Sequence, residues 1–160
     1  MRALALVLLL GIAACGFQLR GTATLPFETI YVPNATSGIA LEIKRSIQAG
    51  SNARVVDDAK AAAALLQFSE ESRRKEILSL TAAGRVSEYR LFYRVGFRVS
   101  DGKGGDFLPP VSIQLFRDMT YDDSQVLAKE AEELLLFRDM QQDMVQQVMR
   151  RIAGAKPLKS

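Results

Sequence analysis

The chain contains no histidine, and Cys15 is its only cysteine. Without histidine it lacks both the usual general base near neutral pH and the commonest metal ligand in proteins. It also has no glycine-rich phosphate loop and no nucleophile elbow. Neighbouring carboxylates occur at 70–71, 122–123 and 132–133, but adjacent side chains point to different faces, whereas glycosidase-type chemistry needs two carboxylates that face each other across a cleft. The sequence therefore predicts a protein that is not an enzyme and that holds no metal and no cofactor.

An apolar run over residues 4–14, preceded by Arg2, lies at the amino end of the chain. A positive charge, an apolar stretch and then small residues form the pattern of a secretory signal peptide. The run is shorter than the about 20 apolar residues that a membrane-spanning helix needs. Cys15 follows directly, and this arrangement resembles a bacterial lipobox, in which the thiol receives a diacylglycerol and the chain is cut before the cysteine. We therefore predict a signal peptide at 1–14 and lipid attachment at Cys15.

A different explanation of the same residues is a cytosolic fold in which residues 4–14 form a helix and Cys15 is a small buried residue. The terminal position of the run and the polar, turn-rich residues that follow it favour the signal peptide instead. Burial of acyl chains stabilises membrane attachment by about 0.8 kcal/mol per methylene, so several chains hold a protein firmly. With glycine at position 16, we expect a lipid-anchored protein on the periplasmic side of the outer membrane.

Removal of residues 1–14 leaves 146 of the 160 residues, a length that suits one domain. The composition, 48% hydrophobic and 24% charged, is that of an ordinary globular protein with a core. The formal net charge of +3 indicates no nucleic-acid partner, so any basic recognition depends on local clusters of charge. We predict a lipidated tether over 15–27, a single domain over 28–153 and a C-terminal tail over 154–160.

Hydrophobic spacing predicts both helices and strands along the domain. The segment 65–80 is extended, but its centre carries so many charges that either one long projecting strand or two strands joined by a loop would fit. Together the elements predict an α+β fold: a two-layer sandwich in which a mostly antiparallel sheet of about four strands carries two helices on one face. The other predicted elements are strands at 29–33, 54–56, 89–99 and 111–120 and helices at 39–50 and 124–152.

The clearest alternation runs from Tyr89 to Val99, where apolar and aromatic residues occupy every second position. The intervening positions include Arg90, Arg94 and Arg98, which therefore share the opposite face of the strand. Residues four apart lie about 13 Å apart, and a row of planar guanidinium groups at that spacing suits several phosphates or carboxylates. The alternative is that the arginines cover a solvent-exposed face and pair with acidic residues of a neighbouring strand. Under that alternative the acidic partners are Glu70, Glu71 or Glu76.

The last predicted helix has an apolar stripe at helical spacing, which indicates the side that faces the core. Asp122 and Asp123 precede the helix, where their carboxylates can accept from its first free N–H groups. The stripe consists of Phe137, Met140, Met144, Val148 and Ile152, and we expect Leu127, Ala131 and Leu134 to continue it toward the amino end.

Several short motifs occur in order along the chain. Residues 15–21 read Cys-Gly-Phe-Gln-Leu-Arg-Gly, and a Leu-Pro pair follows at 25–26. Residues 84–91, Gly-Arg-Val-Ser-Glu-Tyr-Arg-Leu, form a turn that leads into a strand, and 121–130, Tyr-Asp-Asp-Ser-Gln-Val-Leu-Ala-Lys-Glu, lead into the last helix. In order and spacing these motifs resemble the LptE family, the lipoprotein subunit of the outer-membrane lipopolysaccharide translocon. The resemblance covers almost all of the mature chain.

The resemblance implies a globular α+β plug seated in the lumen of a large outer-membrane β-barrel, LptD. Such lipoproteins assist barrel assembly, bind lipopolysaccharide on its way to the outer leaflet and catalyse no reaction. In the family, lipid contact is associated with the lysine that Lys129 matches and with basic residues near the strand hairpin. Ala82 stands at the expected hairpin position here, so Arg85 is the nearest basic candidate and Lys129 is the stronger one. With the arginine row, the candidate lipopolysaccharide-binding residues are Arg85, Arg90, Arg94, Arg98 and Lys129.

Two other classes of function stay open on the sequence. One is an outer-membrane lipoprotein scaffold that recruits a soluble periplasmic partner, which predicts a well-folded monomer with an exposed apolar patch. The other is a periplasmic hydrolase built on a carboxylate pair, which the missing histidine disfavours. For Lys129, the simpler alternative is a solvated helix residue that pairs with Glu132 or Glu133.

Overall fold

The structure is a computed structural model that describes residues 23–156, so the predicted signal peptide, Cys15 and residues 157–160 lie outside the described residues. Between these limits the chain forms five strands and two α-helices, with short 3₁₀ turns at Ala59–Ala61 and Asp123–Gln125. In chain order the main elements are β1 (Thr29–Tyr31), α1 (Gly38–Gly50), β2 (Arg54–Val56), β3 (Ala64–Leu80), β4 (Val86–Ser100), β5 (Asp106–Thr120) and α2 (Val126–Ala153).

The five strands form one sheet in the order β2-β1-β3-β4-β5. β1 is parallel to both of its neighbours, whereas the β3-β4 and β4-β5 pairs are long antiparallel ladders. α1 and α2 pack against each other and share one hydrophobic core with the sheet. The predicted α+β architecture is confirmed, with five strands where the sequence predicts about four.

β3 is one continuous strand of 17 residues, which decides between the two alternatives that the sequence left open. β1 pairs with β3 only at the first two residues of β3, Ala64 and Leu65. The rest of β3 is therefore an edge strand, and its charged centre stays in contact with solvent. Charged side chains along an edge also prevent pairing with another chain. The high polarity of the segment is therefore compatible with a strand because only one neighbour covers it.

In the centre of β3 the inward side is polar and bonds to α2. The Arg73 guanidinium lies 5.2 Å from the centre of the Tyr93 ring and donates to Gln141 on α2. The Lys75 ammonium lies 4.9 Å from the centre of the Tyr89 ring and donates to Glu133 on α2 over 2.6 Å. These contacts join the exposed half of β3 to the helix that covers the neighbouring strand.

The core lies between β4 and the helices. Alternate β4 side chains from Leu91 to Val99 are buried, as the period-two pattern predicts. Burial of one such aliphatic or aromatic side chain contributes about 1.5–3 kcal/mol. The helices supply the opposite side of the core with residues Ile39, Ile43 and Ile47 of α1 and residues Phe137, Met140, Met144, Val148 and Ile152 of α2. The predicted main stripe of the last helix is confirmed.

The predicted extension of that stripe is wrong. Leu127 and Leu134 are 82% and 69% exposed, and Ala131 is exposed as well. Each residue of an α-helix advances about 100°, which places Leu127 about 100° around the axis from Met144 and away from the sheet. α1 lies beside α2 on that side, but it reaches only residues 138–153 and leaves the amino half uncovered.

β5 begins five residues before the predicted start of its strand and contains Pro109 and Pro110. The register shifts at this point, because Phe97 of β4 pairs with Val111 whereas Val99 pairs with Leu108. Proline has no N–H to donate, so it is accommodated in an edge strand at a bulge. The prolines therefore interrupt the ladder without ending the strand, which the sequence pattern alone did not indicate.

Part of the segment predicted as tether packs against the domain. Leu25 and Phe27 are buried, and the Leu25 N–H donates to the side chain of Asn52 over 2.6 Å. The Ala23 N–H donates to the carbonyl of Gly50, the last residue of α1. The described chain therefore starts at the end of the molecule where both helices finish. We call this the proximal end, and the β3-β4 turn marks the opposite, distal end.

Glu71 on β3 connects the start of α1 to the core. The N-cap residue of α1, Ser37, makes no side-chain capping bond. Instead, Oε2 of Glu71 accepts from the Ile39 N–H over 3.3 Å, and Oε1 accepts from the Tyr93 hydroxyl over 2.7 Å. Gly38 has a φ of 61°, and a Cβ at that position would lie 2.7 Å from Oε2 of Glu71. Glycine is therefore required both by the backbone conformation and by the close carboxylate.

We predict that Glu71→Ala lowers the free energy of unfolding by about 0.5–2 kcal/mol, because an orphan N–H of α1 loses its cap and Tyr93 loses its acceptor. Glu76→Ala on the same strand is the matched control, since within residues 23–156 Glu76 pairs only with exposed Arg74. Its expected loss is below about 1 kcal/mol. Denaturant unfolding followed by circular dichroism measures both values, and equal losses would show that Glu71 has no capping role.

Candidate functional site

The end of β5 and the start of α2 meet the β3-β4 turn at the distal end of the molecule. Thr120, the last residue of β5, lies opposite Glu88, near the start of β4. The Tyr121 N–H then donates to the carbonyl of Ser87 over 2.8 Å. This pairing brings Arg85, at the end of the turn, close to the first residues of α2. We call the group formed by Arg85, Thr120, Asp122, Asp123, Lys129 and Glu132 the distal corner.

Two of the predicted lipid-binding cations lie at the distal corner. The Lys129 ammonium donates to the Thr120 hydroxyl over 3.0 Å and to Glu132 Oε2 over 2.8 Å, and its side chain is only 15% exposed. The Arg85 guanidinium donates to Asp123 Oδ2 over 3.3 Å and is 68% exposed. Lys129 therefore pairs with Glu132, one of the two partners that the simple helix pattern suggested, and also bonds to the end of β5.

Asp122 lies between the two cations and is tied to the backbone. Its Oδ1 accepts from both the N–H and the hydroxyl of Ser124. These bonds lower the pKa of the Asp122 carboxyl, and the charges of Arg85 and Lys129 lower it further. The sequence predicted that Asp122 and Asp123 would both cap the helix. Asp122 caps the 3₁₀ turn that leads into α2, whereas Asp123 pairs with Arg85 instead.

Uncovered apolar side chains flank the distal corner. Leu80, just before the turn, is 56% exposed, and Leu127, in the first turn of α2, is 82% exposed. Further exposed apolar residues follow on the same two elements, namely Ile77, Leu78, Leu134 and Leu135. Single exposed leucines are ordinary on protein surfaces, but exposed Leu80 and Leu127 on the elements beside two cations offer both kinds of contact that an anionic amphiphile makes.

The arginine row lies elsewhere, on the face of the sheet opposite the helices. Arg90 makes a bidentate pair with Asp118 of β5, at 2.6 and 2.7 Å. Arg94 lies 3.2 Å from Glu70 of β3, and Arg98 pairs with Asp106 of β5. Asp118 and Asp106 were not among the acidic partners that the sequence suggested. Their positions opposite the arginines depend on the β4-β5 register, which no local pattern reveals.

The arginines of the β3-β4-β5 part of this open face form ion pairs with carboxylates of the sheet. Two of its arginines also lie over aromatic rings, Arg74 at 5.3 Å from the centre of Phe92 and Arg90 at 5.0 Å from that of Phe116. Cation–π contacts of this kind hold a guanidinium flat against the sheet. Four basic residues face four acidic ones: Arg74, Arg90, Arg94 and Arg98 against Glu70, Glu76, Asp106 and Asp118.

Among residues 23–156, no group of three or more acidic side chains is placed to hold a metal ion. A search of the helices in the same part of the chain finds none that is both long enough and apolar enough to cross a membrane. A shallow groove of about 700 Å³ separates α1 from α2 and is lined mainly by glutamine and arginine side chains. Predicted cations and uncovered apolar surface thus coincide at the distal corner, and in the arginine row they coincide where Arg90 lies over the exposed Phe116 ring.

A family model described as lipopolysaccharide-assembly, LptE, matches residues 27–152. The chain belongs to the LptE family. It is 31% identical to the LPS-assembly lipoprotein LptE of Yersinia pestis, over 95% of this chain and 77% of that protein. It is 26% identical to the protein of the same name from Photorhabdus laumondii, over 95% of this chain and 87% of that one. The family predicted from the four sequence motifs is therefore confirmed.

Solved structures show the same LptE-family architecture. The solution structure of a lipoprotein B from Nitrosomonas europaea superposes with a TM-score of 0.74 at 40% identity, covering 87% of this chain and 91% of that one. The crystal structure of rare lipoprotein B from Shewanella oneidensis has a TM-score of 0.66 at 26% identity, covering 79% and 92%. A minor lipoprotein from Acinetobacter baumannii, at 22% identity with a TM-score of 0.67, shares the fold.

The Arg90–Asp118 pair predicts a specific loss of stability in acid. The bidentate bond from Arg90 lowers the pKa of the Asp118 carboxyl below its ordinary value of 3.8. A carboxyl whose pKa is lower in the folded state contributes stability that is fully present above its unfolded pKa and is lost as the pH falls through its folded pKa. We therefore expect Asp118→Asn to melt at a lower temperature than wild type at pH 7, and the difference to shrink below about pH 4.

Melting temperatures between pH 2 and 7 check this expectation. Asp139→Asn is the matched control, because Asp139 lies exposed on α2 and has no ion pair among residues 23–156. A difference between wild type and Asp118→Asn that stays constant down to pH 2 would contradict a stabilising role for the ionised pair.

Proposed function

We propose that this chain is an outer-membrane lipoprotein that binds lipopolysaccharide and that plugs and helps to assemble an LptD-type β-barrel, without catalysing a reaction. Acyl chains on Cys15 hold it at the periplasmic side of the outer membrane. The observation that carries the proposal is the distal corner, where Arg85 and Lys129 lie together beside exposed Leu80 and Leu127. The names of the relatives, LPS-assembly lipoproteins, support the same conclusion.

Lipopolysaccharide has the chemistry that this corner suits, because its lipid A portion combines phosphates with acyl chains. Guanidinium and ammonium groups form strong charge-assisted hydrogen bonds with phosphate oxygens. Arg85 is mostly exposed and can reach an approaching phosphate, whereas Lys129 is held in a fixed position by Thr120. The exposed leucines supply apolar contact for the lipid part.

The paired charges on the open face of the sheet support the proposal that the domain plugs a barrel. A surface that enters a barrel loses contact with water, and removing an unpaired charge from water costs free energy. Here each of the arginines in the row already has a carboxylate partner on the same sheet. β3, at 17 residues, extends for about 56 Å, so the domain is long enough to project deep into a wide lumen.

We expect Arg85→Gln and Lys129→Gln each to weaken lipopolysaccharide binding about five- to tenfold, since each removes one cation from the phosphate site. Arg54→Gln is the control, because Arg54 is exposed on β2 in the proximal half and has no ion pair among residues 23–156. Binding of fluorescent lipopolysaccharide at constant ionic strength, with melting temperatures alongside, measures the effect. Equal weakening by Arg54→Gln would show that net charge, and not the distal corner, determines binding.

A second expectation concerns the barrel and the anchor. Tagged protein purified from detergent-solubilised outer membranes should bring down a large β-barrel protein in near-stoichiometric amount. Mass spectrometry of the purified chain should find Cys15 as the first residue, carrying acyl chains. Recovery of soluble periplasmic proteins alone would favour the scaffold alternative. An uncut leader, or a free thiol at Cys15, would contradict the proposed anchoring.

A further inference from the structure

The distal corner is not a positive site in this structure. Its two basic side chains, Arg85 and Lys129, stand against three acidic ones, Asp122, Asp123 and Glu132, which leaves a net charge of −1. Both cations already have a carboxylate in hydrogen-bonding contact. A phosphate that reaches the corner therefore meets cations that are already paired, and it must displace their carboxylate partners.

The three carboxylates have different roles. Asp122 accepts from the Ser124 N–H and hydroxyl, so it is part of the backbone turn that starts α2. Asp123 and Glu132, in contrast, make one hydrogen-bonded contact each among the described residues, and in both cases the partner is the cation. Their removal would therefore leave no backbone group without a partner. The backbone turn depends on Asp122, whereas among the described residues no backbone group depends on the carboxylate at 123 or at 132.

We propose that Asp123 and Glu132 are affinity-setting residues of the cargo site, which hold Arg85 and Lys129 until a phosphate of the cargo displaces them and take the cations back when the cargo leaves. This inference rests on the proposed function, since it assigns a role within the same lipopolysaccharide site. It makes binding a competition between two carboxylates of the chain and the phosphates of the cargo. The consequence is a lower affinity and a faster release, which suit a protein that passes its cargo on.

The exposure of the two pairs makes such an exchange inexpensive. Arg85 and Asp123 are 68% and 59% exposed, and exposed ion pairs contribute little net stability. Glu132 is 43% exposed, so its carboxylate can move into solvent without becoming buried and unpaired. Lys129 stays in position during the exchange, because its second bond, to the Thr120 hydroxyl, does not involve a carboxylate.

The test measures lipopolysaccharide affinity of the full-length acylated protein in detergent, for wild type and for Asp123→Asn and Glu132→Gln. We expect each variant to bind about two- to fivefold more tightly, mainly through slower dissociation, and the double variant to combine the two effects. Glu130→Gln is the matched control, because it changes the net charge by the same amount on the same helix as Glu132. The side chain of Glu130 is exposed and makes no hydrogen bond or ion pair among residues 23–156.

The comparison arms separate this inference from the proposed function. With enzymatically dephosphorylated lipopolysaccharide, the variants should bind no more tightly than wild type. When inorganic phosphate competes with lipopolysaccharide for the site, it should inhibit binding to the variants at lower phosphate concentrations than binding to wild type. If wild type binds lipopolysaccharide but the two variants behave like Glu130→Gln or bind more weakly, the inference is overturned. If wild type does not bind lipopolysaccharide, the proposed function fails as well.

Folding does not obscure the result, because the readout is a gain of affinity that a misfolded variant would not show. Melting temperatures of the variants are measured alongside. An asparagine at position 123 can still accept from Arg85 through its side-chain carbonyl. Asp123→Ala removes that contact as well, and we expect the same increase in affinity from it. A decrease for both substitutions at 123 would overturn the inference for that residue.

Discussion

The packing of α2 against the buried side of β4 is the contact on which the rest of the structure depends. Phe137, Met140 and Met144 are buried in the same core as the alternating apolar side chains of β4, so α2 supplies the helical side of the core in the distal half of the molecule. α1 is too short to help there, so a single helix holds the long β3-β4 hairpin in place. The Tyr121–Ser87 backbone bond and the Asp122 turn then place the start of α2, with Lys129, at the same corner as Arg85.

Covering only one side of the sheet has consequences for the charged residues. Among residues 23–156 no helix covers the open side of the sheet. There Arg90, Arg94 and Arg98 pair with carboxylates of neighbouring strands, whereas Arg74 pairs with Glu76 of its own strand. The Phe92 and Phe116 rings lie beside Arg74 and Arg90. The row at 90, 94 and 98 is therefore engaged within the sheet. At the distal corner the two ion pairs lie on elements that carry several exposed aliphatic side chains, whereas the arginine row adjoins one exposed ring, Phe116. The distal corner is therefore the better candidate for a charged lipid.

Local patterns predicted those elements whose side chains follow one clear period. The alternation from Tyr89 to Val99 and the stripe from Phe137 to Ile152 both appear in the structure because each is buried on a single side along its whole length. The predictions failed where a neighbour was absent or irregular. Leu127 and Leu134 are apolar, but no element within the described residues 23–156 covers them, and Pro109 lies within β5 because a bulge accepts it. The acidic partners of Arg90 and Arg98 depend on the β4-β5 register. Asp118 is 28 residues from Arg90 along the chain, and Asp106 is 8 residues from Arg98.

The sequence by itself determined the family, the α+β class, the faces of β4 and most of α2, and the residue types available for binding, because these follow from local periodicity and from motifs in order along the chain. Only the tertiary structure decided that β3 is unbroken, that Glu71 caps α1, and that Arg85 and Lys129 share one corner while the arginine row lies on another face. The physical reason is that each of these depends on which distant backbone segments pair and pack. Whether a charged side chain is paired or unpaired is decided only when that packing is complete.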